Sequence, residues 1–227
     1  DGVGGPMETV GEDPLSQTIA LAMSSAFGVG GSAFRTVKDR ELEVETVPFP
    51  AYRMETIRRI GLFDEEQVRN QDDEYNYRLL KHGGRILLSP AIRSRYYSRS
   101  SLKKLWRQYF QYGFWKVRVL QKHPRQLRLR QFVPPVFVAG LAGSALLALL
   151  VPAGRVLFGL AAGSYLLANL GASLLTAARS GWRHLPALPL VFAILHIGYG
   201  AGFLVGLVRF AGRWQQPSAV ERLESVG

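Results

Sequence analysis

Between Phe132 and Val208 the chain carries three arginines (Arg155, Arg179, Arg183) and not one acidic residue. A water-exposed domain of those 77 residues would need far more charge on its surface. The gap therefore points to membrane-spanning helices. Three apolar spans can be drawn through it, Phe132–Val151, Val156–Ala178 and Leu185–Val208. Each has about the 20 residues needed to cross roughly 30 Å of hydrocarbon. Small residues recur at four-residue spacing, Gly159 with Gly163 and Gly198 with Gly202 and Gly206, the pattern of close helix packing. Pro134 and Pro135 interrupt the start of the first span and leave a re-entrant segment open there.

The rest of the chain has a different character. Residues 1–131 hold 22 Lys/Arg and 15 Asp/Glu. Lys116, Arg118, Lys122, Arg125, Arg128 and Arg130 precede the first span, and Arg179 and Arg183 flank the second connection. The positive-inside pattern places both regions in the cytoplasm. Three crossings then put the tail outside, where Arg209, Arg213 and Arg222 run against that pattern. With 48% apolar residues among 227, disorder is excluded. The absence of cysteine excludes disulfides, thiolate zinc sites and thiol catalysis. The net charge of +11 calls for an anionic partner: membrane surface, nucleic acid or phosphorylated substrate. Nucleic acid is the weakest of these, because the basic run abuts a span and contains no recognised binding module.

Local patterns predict helices over 14–27, 53–60, 72–82 and 101–121, and strands over 43–49 and 85–90. FGVGGSAF (27–34) reads as a Gly-rich loop, without the Lys-Ser/Thr ending of a phosphate-cradling loop. Asp72, Asp73 and Glu74 stand where a helix should begin. Acids there complement the helix dipole, and Glu74 is spaced i,i+4 from Arg78 for an ion pair. Yet the 57 residues from Tyr75 to Gln131 contain 15 Lys/Arg and no acid. An acid cluster beside such a stretch can set a general base next to a negatively charged substrate. On the helix near 101–121, Leu102, Leu105, Trp106, Tyr109, Phe110, Gly113 and Val117 form an apolar stripe. Lys103, Lys104, Arg107, Lys116 and Arg118 lie largely off it, as in a basic helix lying on an anionic membrane.

The string TVPFPAYRMETIRRIGLFDEEQVRNQDDEYNYRLLKHGGRILLSP (46–90) resembles the second half of the catalytic domain of family 2 glycosyltransferases. Tyr52-Arg53, Gly61 to Glu65, the acidic motif and the Arg-Leu pair carry the likeness in order. Together with FGVGGSAFR and RQYFQYGFWK they are similar to the bacterial membrane enzymes of exopolysaccharide assembly, of the succinoglycan type.

This resemblance, over roughly residues 1–125, implies a GT-A (Rossmann-like α/β) catalytic domain followed by an all-α transmembrane domain of about three helices. It implies residues 1–100 as the acceptor side of that domain and 101–131 as a basic amphipathic interface helix and linker. Transmembrane helices over 132–208 and a polar tail over 209–227 follow. The implied activity is inverting transfer of a sugar from a nucleotide-sugar donor to a lipid-linked or polysaccharide acceptor, at the cytoplasmic face of a bacterial inner membrane. By resemblance Asp72 is the general base, with Asp73 a competitor because Gln71 replaces the motif's usual Glu. Gln111 and Trp115 fall on the family's Gln-x-x-Arg-Trp motif, whose Arg is Phe114 here, and Arg78 joins them as a substrate-binding candidate. A divalent Mg or Mn is implied, held by an Asp-x-Asp motif that does not occur in these residues. The chain, which starts at Asp1 inside DGVGGPMETVG, is thus expected to be the C-terminal part of such an enzyme, inactive alone. The alternative is a non-enzymatic membrane protein that docks on anionic lipid, its acids serving only as helix caps.

Overall fold

The computed structural model describes residues 1–126 and 128–214. The tail expected over 209–227, with Arg222, lies outside the described residues beyond Trp214.

The first half is a small mixed α/β unit. Its strands are β1 (Gly2–Gly4), β2 (Met7–Val10), β3 (Leu42–Val44), β4 (Ala51–Tyr52), β5 (Ile86–Leu88) and β6 (Ser94–Tyr97). A four-stranded sheet runs β3-β5-β1-β4, with β1 parallel to β5 and both edge strands antiparallel. A second, two-stranded sheet pairs β2 with β6 in parallel. Gly5-Pro6 joins the two sheets, and a Cβ on Gly5 would fall 1.8 Å from the Ile92 carbonyl oxygen. Only glycine fits that crossing.

The helices of this half are α1 (Pro14–Met23), α2 (Ala26–Val29), α3 (Ala33–Thr36), α4 (Met54–Ile60), α5 (Gln71–Lys81) and α6 (Leu102–Lys122). Asp13 starts α1 by accepting hydrogen bonds from the Leu15 and Ser16 amides, each 2.9 Å, and Ser16 reciprocates in a capping box. The Gly-rich loop expected over 27–34 holds two single-turn helices, separated by Gly30 and Gly31 at positive φ. Strand β6 and the short β4 escaped sequence reading, since neither shows a period of two with an apolar face. Val47, Ile60, Tyr75, Leu79, Ile86 and Leu88 form the buried core between the larger sheet and α5.

Three long helices follow: α7 (Val133–Leu150), α8 (Pro152–Ser180) and α9 (Leu188–Arg209). All three are long and apolar enough to cross a membrane. Pro134 and Pro135 sit in the first turn of α7, where a missing N–H costs little, so the helix runs unbroken from Val133 to Leu150. The most apolar windows of α7 and α8 are 11% buried and that of α9 is 44% buried, so α9 is the central element.

What α9 packs against adds a partner for α6 that the sequence reading did not contain. Much of the apolar stripe of α6 lies on α9, while Trp106 of that stripe stays exposed and Lys116 and Arg118 are buried. A Cβ on Gly113 would fall 2.0 Å from the Tyr199 carbonyl oxygen, and one on Gly202 2.0 Å from that of Phe110. The two backbones touch through these glycines. Of the small-residue series, Gly198, Gly202 and Gly206 serve this contact, whereas Gly159 and Gly163 meet nothing within 4 Å. A second buried core joins α1, α6, α8 and α9 through Ile19, Met23, Leu105, Ala177, Phe192 and Leu195. The helical bundle is thus joined to α1 and α6 by a core distinct from that of the larger sheet.

Candidate active site

The acids open α5, and the loop before them is stitched to α6. Asp64 binds Lys122 Nζ at 2.5 Å, with both side chains 1% exposed. Glu66 receives Arg118 at 2.8 Å, Lys122 at 2.9 Å and Arg213 at 2.9 Å. Gln67 donates to the Trp115 carbonyl, Arg69 to the Gln111 side chain and Asn70 to the Tyr112 carbonyl, at 3.2, 3.1 and 3.0 Å. The loop therefore runs antiparallel along α6 from Lys122 back to Gln111. Asn70 takes a left-handed conformation, φ 62°, a turn that Asn tolerates better than most residues. It turns the chain into α5 and delivers Gln71, Asp72 and Asp73 to the helix's first turn.

Asp72 and Asp73 face a cavity of ≈1970 Å³. They do not share a role. Asp73 Oδ2 accepts from Lys116 Nζ at 2.8 Å, and its Oδ1 accepts from the Thr46 hydroxyl at 3.0 Å. Asn76 donates to Thr46 at 2.9 Å, and the Tyr52 hydroxyl donates to Asn76 at 2.7 Å. Asp72 makes only a local bond, its Oδ1 accepting from the Asp73 amide at 3.0 Å. Burial and, next, the Asp73 charge push the Asp72 carboxyl up to about 6. Burial would pull Lys116 down, but Asp73 beside it holds the ammonium above its ordinary value.

The cavity reaches far beyond the acids. Seven cationic side chains line it, among them Arg35, Arg99, Arg107, Lys116 and Arg130, against four acids, Asp64, Glu65, Asp72 and Asp73. Its walls continue between the spans, through Phe137 of α7, Ala161 and Tyr165 of α8, and Leu195, His196 and Tyr199 of α9. Phe27 of α2 closes the wall near His196, whose Nε2 lies 2.8 Å from the Phe27 carbonyl oxygen. The segment read from sequence as a Gly-rich loop is thus part of the cavity wall.

Of the five residues singled out from sequence, Asp72, Asp73 and Gln111 line this cavity. Arg78 does not. It pairs with Glu74 at 3.0 Å, as the i,i+4 spacing predicts, and donates to the Ile60 and Leu62 carbonyls at 2.7 and 2.9 Å. Its guanidinium is consumed in the core, so it ties α5 to the end of α4 and has no donor turned to the cavity. Trp115 does not line it either. Its ring centroid lies 5.6 Å from that of Phe210, beside Phe114, which stands where the motif's Arg would be and lies 4.8 Å from the same ring. Both rings seal α6 against the end of α9. Lys116, Tyr112 and Arg35 line the cavity without having been singled out as site residues. Asp73 and Lys116 are 43 residues apart, and no sequence period links them.

These residues do not make a divalent-cation site on their own. Among the described residues no three His, Asp or Glu side chains converge on one point. Asp73 is already engaged by a cation and a hydroxyl.

No family model matches the chain, and no solved structure matches it. The succinoglycan biosynthesis protein ExoA of Rhizobium meliloti (strain 1021) is 32% identical over 207 residues, 91% of this chain and 61% of that protein. A dolichyl N-acetyl-alpha-D-glucosaminyl phosphate 3-beta-D-2,3-diacetamido-2,3-dideoxy-beta-D-glucuronosyltransferase of Methanococcus voltae is 35% identical over 122 residues, 53% of this chain and 37% of that enzyme. The chain thus spans about three fifths of the first relative and little more than a third of the second. A match over 91% of the chain must include much of the apolar half. The similarity to that succinoglycan biosynthesis protein therefore reaches well beyond residues 46–90, over nine-tenths of this chain.

Proposed function

We propose that this chain forms the acceptor side, the general base and the membrane anchor of an inverting GT-A glycosyltransferase. The enzyme moves a sugar from a nucleotide-sugar to a lipid-linked glycan, in exopolysaccharide or cell-envelope synthesis at the cytoplasmic face of a bacterial inner membrane. The observation that carries this reading is the continuity of one cavity. It joins a carboxylate poised near neutral pH to a cationic wall and then to a cleft between candidate membrane spans. A lipid-linked acceptor needs all three: a proton acceptor, a place for phosphate and an apolar path for its chain. The name of the archaeal relative, which describes a dolichyl-phosphate-borne sugar as acceptor, supports the same substrate class.

Asp72 takes the proton of the acceptor hydroxyl as that oxygen attacks the anomeric carbon of the donor. The bond from that carbon to the nucleoside diphosphate breaks, and the diphosphate leaves with the bonding pair. The proton rests on the Asp72 carboxylate and passes to solvent. Near pH 7 a carboxyl at about 6 is mostly ionised, so the base is in its working form. Lys and Arg side chains along the cavity attract the phosphates of donor and carrier lipid. The divalent ion that the resemblance implies is not held by the residues described above, and no step here runs through it.

In the full-length protein, Asp72→Asn should cut transfer of labelled sugar to a prenyl-phosphate-linked acceptor by about 10²–10⁴-fold while the thermal unfolding midpoint is kept. Retained turnover would overturn the assignment.

A further inference from the structure

We infer that Lys116 and Asp73 form a fixed charge pair that sets the proton affinity of Asp72, acting through that carboxylate and not through contact with substrate. The inference rests on the reading of Asp72 as the base. It also assigns the two adjacent acids, which sequence alone leaves in competition.

The pair is built into two elements. Asp73 sits in the first turn of α5, and Lys116 reaches it from α6 at 2.8 Å. Lys116 is 5% exposed, so this charge is withdrawn from water and committed to its partner. The ammonium also lies 5.1 Å above the Tyr77 ring, within reach of a cation–π contact. The second oxygen of Asp73 is held by Thr46, which is held by Asn76 and then by Tyr52. A carboxylate with an ammonium on one oxygen and a hydroxyl on the other is stabilised in its charged form. Both of its oxygens are engaged across elements, whereas Asp72 has a local bond from the Asp73 amide.

The chemistry needs both members. Two carboxylates side by side resist joint ionisation, so Asp73 raises the proton affinity of its neighbour. Alone, that repulsion, added to burial, would keep Asp72 protonated and useless as a base. Lys116, held 2.8 Å from Asp73, opposes that repulsion. The other titratable groups facing Asp72 are the phenols Tyr52 of β4 and Tyr112 of α6. Burial pushes both up, so they stay neutral near pH 7. Tyr77 of α5 and Tyr199 of α9 lie beside Lys116, and burial pushes the Tyr77 phenol up as well. Among the described groups, the fixed charges acting on Asp72 at close range are therefore Asp73 and Lys116.

The test is the pH profile of kcat/KM in the full-length protein, with thermal unfolding of every variant measured alongside. The readout is the position of the acid limb, not the height of the plateau. Asp73→Asn should move the limb down by about one pH unit or more, and Lys116→Met should move it up by a similar amount. The double variant should return it close to the starting position. Lys116→Arg, which keeps the charge, should leave the limb near its place and carries the test if Lys116→Met fails to fold. A limb that does not move in Asp73→Asn overturns the inference. So does a Lys116 variant that raises only KM for donor or acceptor, which would make Lys116 a substrate contact. Failure of the base reading looks different: Asp72→Asn would then keep both its turnover and the acid limb.

Discussion

Glu74 and Arg78 are 1% and 3% exposed, which for two ionised side chains demands full compensation. They have it. Arg78 meets Glu74 through two nitrogens and gives its remaining donors to the Ile60 and Leu62 carbonyls, and His123 Nε2 lies 3.0 Å from Glu74. Removing one partner strands the other charge in the core. Arg78→Met should therefore destabilise the protein by about 3–5 kcal/mol, read from reversible unfolding in detergent. A loss below 1 kcal/mol would show that this core is wetter than described. At this scale the sequence spoke clearly on one point and not on another. The i,i+4 spacing announced the ion pair, because helix geometry is local. It could not say that Arg78 is spent on carbonyls outside its own helix and has nothing left for a substrate.

At the scale of elements, α6 and α9 are joined by glycines, and the same residue type is idle elsewhere in the bundle. A side chain at Gly202 would meet the backbone of Phe110, while one at Gly159 would meet nothing. Gly202→Ala should force the two helices apart and cost about 1–3 kcal/mol, with loss of the proposed transfer, because α6 also carries the groups that hold the loop before Asp72. Gly159→Ala should be neutral or stabilising by up to about 1 kcal/mol. Equal effects of the two substitutions would sink this account of the interface. A four-residue glycine spacing is a property of one helix. Whether it meets a partner depends on which face that helix turns inward.

On the scale of the whole molecule, Glu66 ties three regions together: the loop before the acids, α6, and Arg213 beyond the end of α9. Burial would raise its pKa, but hydrogen bonds from Arg118 and Lys122 outweigh that and hold the carboxyl down to about 2. A carboxylate depressed in the folded state stabilises fully above its ordinary value of 4.5, and the stabilisation fades as pH falls toward 2. Acid unfolding of the protein should thus steepen across that window. Glu66→Gln should flatten it while leaving the slope near neutral pH unchanged. An identical acid limb in the variant would exclude Glu66 as a clasp between the two halves.

The apolar spans, the Glu74–Arg78 pair and the acids at the head of α5 were all legible from the chain. Each depends on residues within a few positions of one another, or on composition over about twenty. The resemblance in residues 46–90 marked Asp72 for the same reason, since a contiguous motif survives as a string. Three things waited for the tertiary structure. These were the pairing of β1 with β5, the placing of the apolar stripe of α6 on α9, and the division of labour between Asp72 and Asp73. Each is decided by contacts between residues tens of positions apart, where no period or spacing carries a signal. Lys116 reaches Asp73 only because α5 and α6 are packed side by side, and that packing is a property of the folded chain.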